Sequence, residues 1–350
     1  MLKIRSDIID SVRQAKGAGD LHAYLQGAIE LEHSTIPPYL QALYSIKQDK
    51  NTIVADLIRS IVIEEMLHMT VTANVLNAIG GEPAINKPSF VPTYPGALPM
   101  NVHGGLTVGL APLSKTLIHD VFMEIEMPEH PKNFPVKTMA LTAETFGTIG
   151  LFYAAVIDKL KELGDEAFIG KPERQVVDNN WFLPTQLFPV RDVESAVRGL
   201  NIIVQQGEGT SDDPLQADGQ PAHYYRFAEI FYGRRLVPDP MVEEKYSYSG
   251  APIPFDPTGI WDMVINPKVE NYSAGSTARA YAERFNGLYT NLLNSLHLTF
   301  NGDPRHFSAA VGGMYELRLA AEALIEIRDT ATGKQAAPSF EYAMENAQAA

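Results

Sequence analysis

The sequence predicts an all-α protein: a helical bundle with long ordered coil inserts and an additional C-terminal helical pair. Apolar residues recur at helical spacing through several long segments, which is typical of amphipathic helices. Stretches rich in proline, glycine and aromatic residues separate these segments, and residues 106–110 are the best candidate for a short strand. With 350 residues, of which 45% are hydrophobic, the chain can bury a sizeable core.

Charge and cysteine content narrow the classes of function. The chain carries 28 Lys and Arg against 42 Asp and Glu, a net charge of −14, so its surface repels phosphate backbones and anionic lipid headgroups. We therefore expect no nucleic-acid or membrane partner. Cysteine is absent, which excludes thiolate metal sites and leaves His, Asp and Glu for metal or acid–base chemistry. Without a signal-peptide-like segment or a run of about 18 apolar residues, we expect a cytoplasmic protein.

Two long helices are predicted at the start of the bundle. The first covers residues 20–47 with Asp20 as its N-cap, and Pro37-Pro38 should kink or locally unwind it just after Glu32. The second begins after Asn51 and ends at Gly80-Gly81. Because the link between them is short, we expect the two helices to be antiparallel neighbours.

The rest of the chain divides into helices and irregular excursions. Further helices are predicted at residues 114–127, about 141–163, 192–207 with Asp192 as the cap, from His223 onward, and as a final pair at 281–300 and 307–324. Irregular segments fill residues 82–112 and 236–272, and the tail after Gly333 has weak helical signals. We expect residues 1–235 to form a metal-binding bundle and residues 236–350 to pack on it as one structural unit.

An inward Glu-x-x-His is the main chemical signal. Glu65 and His68 lie three residues apart and continue the apolar stripe of the second helix, whereas a solvated surface pair would leave that stripe. Glu32 takes the same kind of inward position on the first helix, and Glu30 points to another face. Buried carboxylate and imidazole groups are costly unless they are paired or bind metal. The three residues therefore predict half of a carboxylate-bridged site of the ferritin-like kind.

Two further residues are candidates for the second half of such a site. Glu208 follows the helix predicted at residues 192–207, and His223 opens the next helical segment. A structural interpretation, with Glu208 as an exposed helix-end acid and His223 as a first-turn residue, is equally compatible with the spacing.

Several ordered motifs extend over nearly the whole chain: AIELEHSTIPPYL at 28–40, EEMLH at 64–68, NAIGGEP at 77–83, YPGALP at 94–99, TIG at 148–150, QGEG at 206–209, HYYRF at 223–227 and FNG at 300–302. They resemble the ferritin-like family named after iminophenyl-pyruvate dimer synthase, an enzyme type of violacein- and rebeccamycin-type pathways. The resemblance implies a ferritin-like four-helix bundle whose metal ligands are Glu32, Glu65, His68, Glu208 and His223.

One position departs from the resembled family. The family usually has a carboxylate directly after Thr-Ile-Gly, and this chain has Leu151. Glu144 lies near the same helix face and is the candidate substitute, although it is two turns away, roughly 11 Å along the helix axis. We therefore expect one metal ion to bind tightly and a second to bind weakly.

The function expected from these features is that of a non-haem, metal-dependent biosynthetic enzyme. Glu and His ligands suit iron, one or two ions, with manganese as the alternative, and no haem is expected. The expected chemistry is oxidation of an amino-acid-derived, aromatic or similar small molecule, and a homo-oligomer is compatible with the sequence. Alternatives are imine coupling as in the family's namesake, metal storage, and a non-catalytic binding protein. Aromatic residues of the excursions either line a substrate pocket or pin the loops to the bundle; they are Phe90, Tyr94, Trp181, Phe182 and Trp261.

Overall fold

The computed structural model describes residues 6–101, 105–128, 134, 149–178, 180–207, 209 and 213–343. Its described residues form nine helices, and two of them, α2 (Ala18–Tyr44) and α3 (Thr52–Ala78), make the most extensive helix–helix contact. A short helix, α1 (Ser6–Arg13), precedes them. The seven-residue link between α2 and α3 makes them antiparallel, as the sequence predicts.

The ends of α2 and α3 follow local backbone chemistry. Helix α2 begins one turn earlier than predicted, with Gly17 as the N-cap, because the Asp20 carboxylate accepts hydrogen bonds from the backbone N–H groups of Lys16 and Gly17. Asp20 is therefore a first-turn residue and not the cap. Helix α3 begins after Asn51, as predicted, and ends just before Gly80, whose positive φ of 85° stops it.

The proline pair lies inside a continuous α2, so the local unwinding that was one of the two predicted effects does not occur. Pro38 has no N–H for the carbonyl of Ser34, so that carbonyl loses its helical partner. The hydroxyl of Tyr94, from the irregular segment after α3, donates to the Ser34 carbonyl at 2.7 Å. Tyr94 is buried, so the excursion replaces a backbone hydrogen bond that proline removes.

Four further helices pack around α2 and α3. Helix α4 has three consecutive parts: Lys115–Leu117, a π-helical turn over Ile118–Phe122, and Met123–Ile125. Helix α5 is Ile149–Leu163, and the part predicted before residue 149 lies outside the described residues. Helix α6 is Val193–Gly207, capped as predicted by Asp192, which accepts from the backbone of Ser195 at 2.8 Å. Helix α7 is His223–Tyr232.

The predicted C-terminal pair is present as α8 (Thr277–Phe300) and α9 (Phe307–Ile325). Two two-residue strands, β1 (Val237–Pro238) and β2 (Tyr246–Ser247), pair antiparallel in the excursion before it, with Val237 opposite Ser247. The predicted strand at 106–110 is reduced to one bridge between Gly96 and Val108. The tail is also different from its prediction: residues 334–343 form no helix, and Phe340 is buried against Phe285 and Tyr289.

The main core joins the bundle to the C-terminal pair, since one buried cluster includes Leu25 and Ile61 together with Phe285, Leu293 and Phe300. The all-α prediction is confirmed. Among the described helices, none has the length and apolar character needed to cross a bilayer. Carboxylate and imidazole side chains interrupt the apolar interior where α2, α3, α4 and α7 meet.

Candidate metal centre

Helices α2 and α3 bring the first three predicted residues together. Glu32, Glu65 and His68 are all buried, and each offers a ligand atom within 4.8 Å of the others. Nδ1 of His68 lies 3.5 Å from Oε2 of Glu32 and 4.0 Å from Oε2 of Glu65. The inward direction inferred from the apolar stripe is therefore correct for all three side chains.

A second group forms beside the first. His223, at the start of α7, and Glu126, directly after α4, meet Glu65 with ligand atoms within 4.8 Å of one another. Nδ1 of His223 lies 2.9 Å from Oε1 of Glu65 and 3.4 Å from Oε2 of Glu126. The rings of His68 and His223 are stacked with centroids 5.3 Å apart, so the two groups are adjacent.

Glu65 belongs to both groups and divides its two oxygens between them. Its Oε2 faces His68 and accepts a hydrogen bond from the Thr35 hydroxyl at 3.2 Å, and its Oε1 faces His223. A carboxylate placed between two sets of ligands can bridge two cations. Glu65 is thus shared by two groups of side chains, each of which could hold a metal ion.

The outer nitrogens of both imidazoles are held by other side chains. Nε2 of His68 lies 2.9 Å from Oε1 of Gln206, and Nε2 of His223 lies 2.9 Å from Oε2 of Glu64. When Nε2 carries the proton in these contacts, Nδ1 presents a lone pair to the carboxylates. Fixing the ring and its tautomer through the outer nitrogen is what protein metal sites generally do with histidine.

Glu64 is itself part of a buried ion pair on the outer side of His223. Its carboxylate accepts from Arg226 and, at 3.1 Å, from Gln216, while Arg226 also donates to Ser60 at 2.8 Å. Burial alone would raise the pKa of Glu64, but His223 and Arg226 beside it lower the pKa to about 2. Glu64 therefore remains anionic at neutral pH and keeps His223 in place.

Two buried tyrosines orient the carboxylates. The Tyr153 hydroxyl of α5 donates to Oε1 of Glu32 at 2.6 Å, and the Tyr39 hydroxyl of α2 donates to Oε1 of Glu126. Each phenol occupies one carboxylate oxygen and leaves the other, Oε2, toward the histidines. Burial raises the pKa of both phenols well above their usual value, so both remain donors.

The four clustered groups with shifted pKa values compensate one another's charge. Burial and the negative charges of Glu126 and Glu32 raise the pKa of Glu65 to about 7. Burial alone would raise the pKa of Glu32, but His68 and Tyr153 lower it. For both histidines burial acts to lower the pKa, yet the neighbouring carboxylates raise it. Protons on these side chains thus balance the buried negative charge. A metal cation bound at the same position would displace the protons.

The side chains at the centre have the chemistry that a resident metal ion requires. Nδ1 of His223 is buried and has no hydrogen bond of acceptable angle among the described residues, although two carboxylates surround it. Two imidazoles and three carboxylates are the ligands that iron and manganese take. The described residues enclose a space of about 30 Å³ beside Glu32, Glu65, His68, Glu126 and Tyr153. That volume is enough for ions or one or two water-sized molecules.

The other predicted ligands have different outcomes. Glu208 and Glu144 lie outside the described residues. Leu151 is half-buried on α5 and does not line the metal pocket, whereas its neighbour Gly150 does. Glu126, which was not among the predicted ligands, provides the second group with a carboxylate that comes from α4 and not from α5.

A signal for Glu126 was present in the sequence. It follows Ile118 and Phe122 at intervals of four, so it continues an apolar stripe just before Pro128. The π-helical turn over Ile118–Phe122 adds a residue to one turn and rotates the end of α4, which spacing alone does not disclose.

None of the five aromatic residues considered for a substrate pocket lines this space. Phe90 packs on His33, Tyr94 bonds to Ser34, and Trp261 contacts Lys47. For these residues, pinning of the excursions to the bundle is the observed role. Trp181 and Phe182 line a different cavity.

The fold and the site together place this chain in the class of helical bundles that can hold metal between their helices, because its centre is buried and rich in carboxylates and histidines. A family model described as Ferritin-like matches residues 25–232, more than half of the chain, and the chain therefore belongs to the ferritin-like family. It is also similar to a solved ferritin-like protein from Caulobacter vibrioides, with 26% identity, a TM-score of 0.61, and coverage of 92% of this chain and 97% of that one. Comparison with curated proteins gives no match.

Proposed function

We propose that this chain is a non-haem, metal-dependent enzyme that performs oxidative chemistry on an amino-acid-derived small molecule. Its centre would be dinuclear, with iron as the first candidate metal and manganese as the alternative. The observation that carries the proposal is the position of Glu65, with one oxygen in each of two ligand groups. Glu32 and His68 would complete the first group, and Glu126 and His223 the second. When bound, such a metal pair supplies the redox chemistry by which dioxygen or peroxide is activated.

The chain's own residues do the positioning. Tyr153 and Tyr39 hold one oxygen of Glu32 and of Glu126, and Gln206 and Glu64 hold the outer nitrogens of the histidines. The ligand side chains are buried, so bulk water has little access to them. A preformed, dry ligand set needs little reorganisation when it takes up charge.

The substrate class rests on the sequence motifs. They resemble the family of iminophenyl-pyruvate dimer synthase, whose substrates are aromatic 2-imino acids, so an aromatic amino acid or its imine is the first candidate. Imine coupling is the alternative reaction on the same substrate class. The narrow space of about 30 Å³ at the centre suits a small oxidant better than an aromatic ring. This supports oxidation over imine coupling as the reaction.

Metal storage is a competing function with a separate prediction. Storage cages are built from compact subunits, whereas here the irregular segments and the α8–α9 pair cover the α2–α3 pair. Size-exclusion chromatography distinguishes the two: a monomer or small oligomer supports the enzyme, and a 12- or 24-subunit shell supports storage.

Metal analysis and product analysis together test the proposal. Protein loaded with Fe(II) under anaerobic conditions should hold about two ions per chain, and not one tight and one weak ion, because Glu126 would supply the second group with the carboxylate that position 151 lacks. Glu65→Ala should lose at least one ion, while the surface variant Glu322→Gln should match the unmodified protein. The loaded protein is then given aromatic amino acids, or their imines made in situ by an amino-acid oxidase with catalase.

Isotope incorporation separates the two reactions. An oxidised product that carries ¹⁸O from ¹⁸O₂ and forms only with the loaded protein supports the oxidative function. A coupled dimer without label supports imine coupling. Protein that binds two ions but changes none of these compounds contradicts the substrate class. Protein that binds no metal contradicts the centre itself.

A further inference from the structure

A second cavity lies between the bundle and the C-terminal pair. Its volume is about 290 Å³, and its walls come from α2, α3, α8 and α9, with Trp181 and Phe182 from the segment before α6. Among the residues that the structure describes, none lines both this cavity and the metal pocket. Helix α3 contributes Met66 and Met69 to the wall, and these residues follow Glu65 and His68 directly in sequence. The cavity therefore lies about 100° around α3 from the metal pocket.

The wall of this cavity is largely apolar, and several of its polar groups have partners, although Nδ1 of His33 is buried without a hydrogen-bond partner among the described residues. His33 and Tyr289 bond to each other, Nε2 to hydroxyl at 2.8 Å, and the Thr70 hydroxyl donates to the carbonyl of Met66. The two arginines of the lining are each paired with an acid on their own helix: Arg59 with Asp56 and Arg318 with Glu322. Water that entered would therefore find few partners, and a charged ligand no free counter-charge.

Aromatic rings and methionines lie among the aliphatic side chains that form the rest of the wall. Phe182, Tyr289, Phe307 and Phe340 contribute rings, and Met66, Met69 and Met314 contribute flexible thioethers that make favourable contacts with aromatic ligands. At the rim, Ile63, Trp181 and Tyr315 are large hydrophobic residues about half exposed. An apolar space of this size, left empty, costs stability in proportion to its volume.

We propose that this cavity binds a neutral aromatic small molecule of about two fused rings, at a site separate from the metal centre. The size follows from the volume, since a cavity of about 150 Å³ holds one benzene ring and this one is about twice as large. A polar cleft adjoins the cavity and shares Leu43, Tyr44, Arg59 and Arg318 with it. This site does not depend on the function proposed for the metal centre.

The test uses three two-ring probes of similar size and isothermal titration calorimetry on the full chain. 2-Naphthol is neutral and aromatic, 2-naphthoate is anionic, and decahydro-2-naphthol is neutral but not aromatic. We expect 2-naphthol to bind one per chain, the anion to bind at least tenfold more weakly, and the saturated alcohol to bind several-fold more weakly. Glu126→Ala, in the metal centre, should not change these affinities.

Two variants and one control locate the binding. Ala310→Phe adds a ring to the wall and should weaken 2-naphthol binding more than tenfold. Trp181→Ala, at the half-exposed rim, should weaken it roughly five- to tenfold and cannot disturb the core packing as Ala310→Phe can. Leu319→Ala, on an exposed part of α9 outside the lining, should leave the affinity unchanged.

The contrary results are distinct. Absence of saturable 2-naphthol binding, or binding that neither variant weakens, overturns the site. Equal or tighter binding of 2-naphthoate would show that the rim arginines govern recognition and would overturn the neutral ligand class.

Discussion

Glu64→Gln is the substitution whose effect can be worked out most fully from the structure. The carboxylate of Glu64, 16% exposed, contacts the buried side chains of His223 and Arg226, and the amide of Gln keeps the size and one acceptor while it removes the charge. The substitution therefore leaves the buried guanidinium of Arg226 without its counter-charge, and breaking one side of a buried pair is strongly destabilising.

The magnitude follows from the pKa of Glu64. The folded protein lowers the pKa from 4.5 to about 2, so the ionised carboxylate contributes on the order of 3 kcal/mol to the free energy of unfolding. Because the folded pKa is the lower one, this contribution is fully present above the unfolded value of 4.5 and is lost as the pH falls towards 2. The difference between wild type and Glu64→Gln should thus be largest at neutral pH and shrink through this range.

Urea denaturation of the metal-free proteins between pH 7 and pH 2.5, followed by circular dichroism, measures this difference. Glu322→Gln is the matched control, because its carboxylate pairs with Arg318 on the exposed face of α9 and such surface pairs contribute about 0–1 kcal/mol. If Glu64→Gln lost no more stability than Glu322→Gln at pH 7, or if its deficit stayed constant down to pH 2.5, the electrostatic role assigned to Glu64 would be refuted.

Three further predictions concern the metal centre and the fold. Glu126→Ala should lower the iron content from two ions per chain towards one, by removing a ligand of the second group only; elemental analysis that still finds two would show that Glu126 is not a ligand. Tyr94→Phe should cost about 1 kcal/mol in thermal or urea unfolding, because the Ser34 carbonyl freed by Pro38 loses its donor, and Tyr315→Phe on the surface should cost nothing measurable. The purified protein should show no Soret band, since the histidines at the centre face carboxylates and the chain has no cysteine; a strong band would contradict the non-haem assignment.

The sequence was informative wherever periodicity and local chemistry agree. The stripe of α3 predicted that Glu65 and His68 point inward, because the spacing of three to four residues fixes the face of a regular helix. Asp192 and Asn51 marked helix starts correctly, since a polar residue before an apolar stripe is a strong helix-start signal. Glu32 followed from the same rule on α2.

The failures occur where distant segments decide the outcome. Pro37 and Pro38 remove donors from α2, and the tertiary contact by which Tyr94 replaces one of them is not visible in local spacing. Glu126 was missed although it continues the stripe of Ile118 and Phe122, because the contact of α4 with α7 that brings it to His223 exists only in the folded chain. Phe340 is held by rings of α8, so the tail is ordered without a helix.

Anomalous diffraction from crystals of the iron-loaded protein tests the central claim most directly. Data collected above and below the iron absorption edge should give two peaks on either side of the Glu65 carboxylate, one next to Glu32 and His68 and the other next to Glu126 and His223. A single peak in contact with only one of these groups, or no peak within bonding distance of Glu65, would contradict a dinuclear centre bridged by Glu65.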